Sequence, residues 1–246
     1  MEYAVQVENL KKSYGTLTAV RGVSFSVKQG EVFGLLGANG AGKSTTIECV
    51  LGTKRQDEGF ARILGLDPIK NRKRLFEQVG VQFQESSYQE KITVAELCEM
   101  TSSLYKEPES WKTILSLFGL GEKSKSFVAE LSGGQRQRLY IVLALIPNPK
   151  VVFLDELTTG LDAKARREVW SHLRTLKEKG MTIVLTSHYM DEVEALCDSI
   201  CILKQGDVIF QGTVQEAIQN SPYGRLEDAY LWYADDDEEA NCDESV

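Results

Sequence analysis

One glycine-rich octapeptide constrains the fold of this chain more than any other feature. It follows an apolar run at residues 32–36 and precedes a helical pattern that begins at Thr45. The octapeptide consists of Gly37, Ala38, Asn39, Gly40, Ala41, Gly42, Lys43 and Ser44. Its spacing matches G-x-x-x-x-G-K-[ST] between a strand and a helix, a context that an ordinary glycine-rich turn rarely has. The sequence therefore predicts a loop whose backbone N–H groups enclose phosphates at a helix N-terminus.

Two side chains of this loop and two carboxylates elsewhere form a candidate catalytic set. In such loops the lysine, here Lys43, reaches the β- and γ-phosphates, and the hydroxyl of Ser44 binds Mg²⁺. An apolar run at residues 151–154 ends in Asp155 and Glu156. We predict that Asp155 holds Mg²⁺ through its water shell and that Glu156 polarises an attacking water. Taken alone, the acidic pair would more often be a strand end that meets solvent.

Short apolar runs with few polar interruptions predict the core of the fold. They lie at residues 32–36, 151–154, 182–186 and 200–203. Strands that are buried on both faces have this composition, which indicates a parallel sheet covered by helices. Residues 207–211 predict an antiparallel hairpin partner for the last run, and residues 4–11 and 23–27 alternate as in an antiparallel layer. The predicted fold class is α/β, a P-loop NTPase (RecA-like) core with a parallel sheet and an antiparallel β layer.

The middle of the chain has helical signals instead. Thr93 and Glu96 match a capping box that opens a helix through about Tyr105. Residues 111–118 predict a second helix, which a glycine ends, and Ser132 begins a third. These signals indicate an α-helical subdomain inserted between strands of the core.

We therefore divide the chain into three parts. The core lobe takes about residues 1–88 and 148–222, and the helical subdomain takes about residues 89–147. Residues 223–246 form an extension, whose acidic end from residue 235 has the composition of a disordered segment.

A second glycine motif lies at the start of the third predicted helix. Leu131 precedes the residues Ser132, Gly133, Gly134 and Gln135. The serine and glutamine match a capping box, and the glycines expose the first backbone N–H groups of the helix. A well-capped helix would explain the pattern as structure alone, but such an N-terminus is also an anion site. Since the chain already has one phosphate loop, we expect this site to act on a nucleotide bound by another copy or a partner.

With this LSGGQ sequence in place, the order of motifs resembles the ATP-binding cassette (ABC) family over about residues 3–220. The resemblance implies that Tyr14 stacks on adenine and that Gln84 senses Mg²⁺ and links the lobes. It also implies that Asp162 lies in a loop that crosses a dimer and that His188 contacts the γ-phosphate. In the implied head-to-tail dimer, Ser132 and Gly134 close on the partner's γ-phosphate.

Each of these residues has a simpler role when taken alone. Tyr14 could be a surface tyrosine, Asp162 a helix N-cap and His188 a loop histidine. The sequence also departs from the family, because Leu157 and Ala163 stand where related proteins often have proline. Leucine frees a backbone N–H and loosens φ, which puts the stiffness of the loop at residues 157–162 in doubt.

The stretches at residues 159–162, 166–167 and 189–198 further resemble the ATPases of bacterial drug and antibiotic exporters. The resemblance implies an ATP-hydrolysing motor subunit that exports drug-like, antibiotic or lipid-like substrates. Its implied partners are a second ABC ATPase protomer, making a homodimer, and an integral membrane permease. The alternatives are a soluble ABC ATPase that acts on DNA or ribosomes and a regulatory module without activity. The second of these is expected to lack Glu156 or His188.

Composition narrows the location and the partners. The net charge is −8, but residues 226–246 hold only acidic charged side chains. No dense basic stripe is present, which argues against nucleic acid as the main partner. The sequence has no long apolar window and no apolar signal at its start, so we expect a peripheral place at the cytoplasmic face of the membrane. The five scattered cysteines suit reduced thiols and show no zinc pattern.

Overall fold

The structure is a computed structural model, and it describes residues 3–82, 91–158 and 160–234. The described strands are β1 (Tyr3–Tyr14), β2 (Leu17–Lys28), β3 (Val32–Gly37), β4 (Glu58–Ile63), β5 (Val79–Gln82), β6 (Val151–Leu154), β7 (Thr182–Ser187), β8 (Ser199–Lys204) and β9 (Asp207–Thr213). The described α-helices are α1 (Lys43–Val50), α2 (Arg72–Phe76), α3 (Val94–Ser103), α4 (Trp111–Leu117), α5 (Gly133–Leu145), α6 (Ala163–Glu178), α7 (Met190–Leu196), α8 (Val214–Gln219) and α9 (Leu226–Ala234).

Two sheets form within these residues. The larger has the strand order β5-β6-β7-β3-β8-β9, in which β9 alone runs antiparallel to its neighbour. The smaller is antiparallel, with the order β2-β1-β4. The four apolar runs of the sequence thus form adjacent parallel strands, and the prediction of an α/β P-loop NTPase core with an antiparallel layer is confirmed.

Parallel pairing explains why the predicted site residues meet at one edge of the core sheet. Leu36 of β3 pairs with Ser187 of β7, and Leu154 of β6 pairs with Leu185 of β7. The carboxyl ends of these three strands therefore lie side by side. In open α/β sheets, ligands bind at this edge. In this chain the predicted site residues that follow the three strands lie there.

Alternation along the buried strands divides the core between the two faces of the sheet. Val151 and Phe153 of β6 join the core beneath the antiparallel sheet and α1. Val152 and Leu154 of the same strand join the core beneath α5 and α6. Since successive side chains of a strand point to opposite faces, a nearly continuous apolar run is what such a strand requires.

The turn between β8 and β9 has the conformation that a two-residue hairpin prefers. Gln205 and Gly206 have φ values of 49° and 87°. Positive φ at both central residues matches the right-handed twist of the flanking strands. The predicted hairpin is therefore present, and its tip lies against the phosphate loop described below.

The helical signals also appear as predicted. Thr93 caps α3 in a capping box with Glu96, Ser110 caps α4, and Ser132 caps α5. All three helices fall between residues 89 and 147, whereas the division into two lobes with these boundaries stays a prediction. In the described segments, no helix combines the length and apolar character that crossing a membrane requires.

Candidate active site

The glycine-rich loop joins β3 to α1, and its back is pressed against two other segments. Gly37 has φ 150°, and a Cβ there would lie 2.5 Å from the carbonyl oxygen of Leu203. Gly42 has φ 101°, and a Cβ there would lie 2.4 Å from the carbonyl oxygen of Ala19. Glycine satisfies both the positive φ and the close approach. The hairpin tip adds a hydrogen bond, because Gly206 N donates to Ala41 O at 3.1 Å.

The side chain of Lys43 lies over the loop that precedes it. Its Nζ donates to the carbonyl oxygens of Gly37 at 2.8 Å and Ala38 at 3.1 Å. Burial lowers the pKa of Lys43, and the negative charges of Glu156 and Asp155 oppose this shift. The loop therefore holds a buried ammonium group close to two carboxylates.

The hydroxyl of Thr186 organises the acidic pair after β6. It donates to Asp155 Oδ1 and accepts a hydrogen bond from Glu156 N at 2.9 Å. Burial raises the pKa of Asp155, while the Thr186 hydrogen bond and the charge of Lys43 act in the opposite direction. Thr186 is the second-last residue of β7, so one side chain links the ends of two neighbouring strands.

Glu156 adopts an uncommon backbone conformation for a residue with a side chain. Its φ is 48°, in the left-handed region. Such a residue costs of order 1–3 kcal/mol and persists where its surroundings fix it. The turn separates the two carboxylates, because Glu156 lines the open cleft described next whereas Asp155 lines a small void beneath it.

An open cleft of about 720 Å³ lies at the carboxyl edge of the sheet. Its lining residues are Tyr14, Leu17, Ala19, Gly37, Ala38, Asn39, Gly40, Gly42, Lys43, Ser44, Thr45, Glu156, His188 and Tyr230. Tyr14 is 42% exposed, and the Nζ atoms of Lys12 and Lys54 lie 5.5 and 5.4 Å from its ring centroid. His188 follows β7 and its ring lies 4.2 Å from that of Tyr189. The structure thus gathers most of the predicted site residues around one cleft.

The signature residues at the start of α5 are not among those that line this cleft. Ser132 N donates to Gln135 Oε1 at 3.1 Å, and Gln135 N donates to Ser132 Oγ at 3.3 Å. Ser132 and Gly133 are exposed, whereas a Cβ on Gly134 would lie 3.1 Å from Leu161 Cδ2. The predicted capping box is therefore formed, and the serine stays on the protein surface.

The loop that leads to α6 contacts the start of α5 rather than the cleft. Asp162 Oδ1 accepts from the backbone N–H groups of Lys164 and Ala165, at 3.0 and 2.8 Å, and so caps α6. Leu157 is fully buried, so packing holds this side chain in place. The predicted residue Gln84 lies outside the described residues.

Three residues that contact this site were not predicted from the sequence. Thr186 is described above, and Gln137 Nε2 donates to the carbonyl oxygens of Glu156 at 3.2 Å and Leu157 at 3.0 Å. Tyr230 of α9 lines the cleft from the end of the chain's described part. No linear motif marks these three, because each reaches the site through tertiary packing.

This arrangement is that of a nucleotide-binding cassette, since the phosphate loop and the acidic pair meet at one cleft while the signature helix begins outside it. The family described as "ABC transporter" matches residues 20–159. The linearmycin resistance ATP-binding protein LnrL of Bacillus subtilis (strain 168) is 39% identical over 214 residues, which cover 85% of this chain and 69% of that protein. A Nod factor export ATP-binding protein I of Ralstonia nicotianae is 40% identical over 219 residues, or 87% of this chain and 68% of that protein.

A solved ATP-binding subunit of an ABC transporter superposes with a TM-score of 0.86 at 28% identity, and the match covers 94% of this chain and 99% of that one. The chain belongs to the ABC transporter family. It is the ATP-binding subunit of such a transporter, and it hydrolyses ATP.

Proposed function

We propose that two copies of this chain bind and hydrolyse ATP between them while attached to an integral membrane permease. The observation that carries the proposal is the separation of the signature from the cleft. Ser132 is exposed and caps α5, yet it lines no part of the cleft that holds the phosphate loop. A second copy, facing the first head to tail, would bring its own Ser132 to the bound nucleotide.

Within one copy, the cleft residues have separable roles. Tyr14 stacks on the adenine, and the loop N–H groups with Lys43 bind the phosphates. His188 contacts the γ-phosphate. Glu156 lies within the same cleft and accepts a proton from the attacking water. The left-handed backbone of Glu156, held by Thr186, sets the direction of this carboxylate.

The residues present also suit Mg²⁺. The hydroxyl of Ser44 and the carboxylate of Asp155 are hard oxygen donors, which Mg²⁺ prefers. A nearby cation would also offset the burial that raises the pKa of Asp155. When bound, the ion neutralises charge that develops on the phosphates. Gln84 is proposed as a further contact to it.

The second copy completes the site. Its Ser132 and Gly134, at the N-terminus of α5, close on the γ-phosphate, and Gly133 and Gln135 belong to the same turn. Asp162, in the loop that begins α6, faces the partner across the interface. ATP thereby joins the two copies, and hydrolysis releases them, which is a differential contact between two states.

We further propose that the transporter is an exporter of drug-like, antibiotic or lipid-like compounds. The support is similarity, since the curated relatives include proteins named for linearmycin resistance and for Nod factor export. The permease would hold the cassette pair at the cytoplasmic face of the membrane. The substrate contacts would then lie on the permease.

The dimer proposal is tested with Glu156→Gln in the full chain. With ATP and Mg²⁺, this variant should elute as a dimer in light-scattering chromatography, because it binds ATP and hydrolyses it slowly. Adding Ser132→Arg should leave ATP binding intact and return the protein to a monomer. A Glu156→Gln protein that hydrolyses ATP at the normal rate would remove Glu156 from the base role. A dimer that persists with Ser132→Arg would remove the signature from the interface.

The permease proposal is tested by searching the neighbouring reading frames for one that encodes about six hydrophobic spans and by co-expressing this chain with the protein that it encodes. The tagged cassette should then be recovered from detergent-solubilised membranes together with that protein. Recovery of the cassette solely from the soluble fraction, with normal ATPase activity, would favour an ABC ATPase that is not attached to a transporter.

A further inference from the structure

A buried carboxylate, Glu192, lies on α7 and has no part in the roles assigned above. None of its surface is exposed to solvent. Its Oε1 accepts hydrogen bonds from the Thr158 hydroxyl at 2.8 Å and from the Trp170 indole N–H at 3.1 Å. Burial of a carboxylate is unfavourable unless donors satisfy it. A carboxylate at this place therefore calls for an explanation beyond core packing.

The two donors come from segments that the site uses. Thr158 lies two residues after Glu156, at the start of the loop that leads to Asp162 and α6. Trp170 lies on α6 itself. Glu192 lies four residues after His188, in the first turn of α7. One carboxylate thus joins the loop after the acidic pair, the helix that the loop begins, and the segment that carries His188.

A second pair of contacts joins the same helices closer to the surface. The Arg166 guanidinium of α6 lies 4.5 Å from the ring centroid of Tyr189. The same side chain donates to Asp191 Oδ2 at 3.3 Å. Exposed pairs of this kind contribute little energy alone. They do show that α6 contacts the residues on both sides of Met190, so the buried hydrogen bonds are part of a continuous interface between α6 and α7.

We propose that Glu192 is a positioning residue that couples the loop at residues 157–162 to His188. It holds Thr158 and Trp170 on one side and is fixed to α7 on the other. When a second copy contacts the loop, the loop is displaced. This carboxylate passes the displacement to the histidine that contacts the γ-phosphate. Dimer contact and γ-phosphate contact therefore form together. This inference rests on the proposed roles of the loop and of His188.

The test uses four single variants and one double variant of the full chain. Thr158→Val removes one donor and keeps the side-chain shape, and Glu192→Ala removes the acceptor. Glu192→Gln retains an acceptor oxygen and is the conservative replacement. The matched control is Thr182→Val, because Thr182 is also a buried threonine whose hydroxyl takes part in one hydrogen bond, from Gly30 N at 2.9 Å. Thr182 begins β7 and so lies at the opposite end of the strand from Ser187.

We expect Thr158→Val and Glu192→Ala each to lower kcat about tenfold, because each removes the hydrogen bond between Thr158 and Glu192, and a well-placed hydrogen bond to a charged group has an effect of about this size. The KM for ATP should stay within about twofold, because the phosphate loop is untouched. Glu192→Gln should recover most of the activity. The double variant Thr158→Val with Glu192→Ala should be no slower than either single variant, since both break the same link. Thermal unfolding of each variant shows whether a lower kcat reflects a smaller fraction of folded protein.

Two results would overturn the inference. One is a kcat for Thr158→Val and Glu192→Ala that matches the Thr182→Val control. The other is a pair of effects that multiply in the double variant, because independent effects exclude a shared link. Failure of the proposed dimer would look different, since ATP would then leave the Glu156→Gln protein monomeric whatever residue stands at position 192.

Discussion

The ammonium group of Lys43 donates a 2.8 Å hydrogen bond to the carbonyl oxygen of Gly37. The side chain of Lys43, the first residue of α1, thus reaches back over the loop to the last residue of β3. Burial lowers the pKa of this ammonium, so the nucleotide-free protein is less stable than it would be with the same group in water. A phosphate oxygen is negatively charged, so it would accept a stronger hydrogen bond from this ammonium than either carbonyl oxygen does.

Replacing Lys43 by alanine should therefore weaken ATP binding strongly while sparing the fold. Loss of a charge-assisted contact costs about 1.5–3 kcal/mol, or roughly 10–100-fold in affinity, before any loss of loop order. The measurement is calorimetric titration with ATP and Mg²⁺. Thermal unfolding without nucleotide is the control and should show little loss of stability. Unchanged affinity would exclude Lys43 from the phosphate site.

Gly42→Ala should damage the same loop through the backbone. A Cβ at this position would lie 2.4 Å from Ala19 O at a φ of 101°, so both space and conformation oppose it. Strain of this kind costs about 1–3 kcal/mol, which corresponds to several degrees in Tm for a chain of this size. Gly224→Ala is the control, because nothing lies within 4 Å of a Cβ at that position. Equal Tm and ATP affinity in the two variants would contradict the geometry.

The core strands could be predicted because their burial requires a local composition that is visible in the sequence. A strand buried on both faces, such as β7, has to be apolar at nearly every position, and its sequence shows this. In contrast, β4 is largely exposed and contains Glu58, Gly59 and Arg62, so no alternation marks it. β5 has only four residues and includes Gly80. Tertiary pairing, rather than local preference, makes both of these segments strands.

The site residues fall into the same two groups, those that local sequence identifies and those that only tertiary packing brings to the site. Lys43 and Ser132 belong to contiguous motifs whose spacing itself gives the chemistry, so the sequence identifies them. Gln137, Thr186 and Glu192 act through partners 19 to 34 residues away. Such contacts depend on how helices and strands are brought together, and a single sequence does not contain that information in local form.

Gln137→Ala should slow hydrolysis without weakening ATP binding. The Gln137 amide donates to the carbonyl oxygens of Glu156 and Leu157, so it connects the signature helix to the turn that carries the base. Loss of both hydrogen bonds should lower kcat about tenfold with the KM for ATP nearly unchanged. Steady-state ATPase assays provide the measurement. Gln78→Ala is the matched control, because Gln78 precedes β5 and its amide donates to a backbone carbonyl, Arg74 O. A shared loss of activity in both variants would indicate general destabilisation instead.

The cysteine thiols of the described residues should be unreactive in the folded protein. Burial raises the pKa of Cys98 and of Cys201 to about 12, and it also raises those of Cys49 and Cys197. Since the thiolate is the reactive form, reaction with Ellman's reagent at pH 8 should be slow. The measurement uses Cys242→Ser protein, whose remaining thiols should react rapidly only in denaturant. A fast-reacting thiol in the native variant would show that one of these sites opens to solvent.

Glu192→Gln should change how stability depends on pH. Burial raises the pKa of Glu192 above its ordinary value of 4.5, with the neighbouring charge of Asp191 acting in the same direction. An acid with a raised folded-state pKa contributes stability below its unfolded pKa, and that contribution is lost as pH rises through the folded value. The Gln variant cannot ionise, so its Tm should rise relative to wild type as the pH rises above about 4.5 and through the folded-state pKa of Glu192. The rise should be about 2–4 °C for each kcal/mol gained. Tm curves for the two proteins that stay parallel as the pH rises would show that folding does not shift the pKa of Glu192.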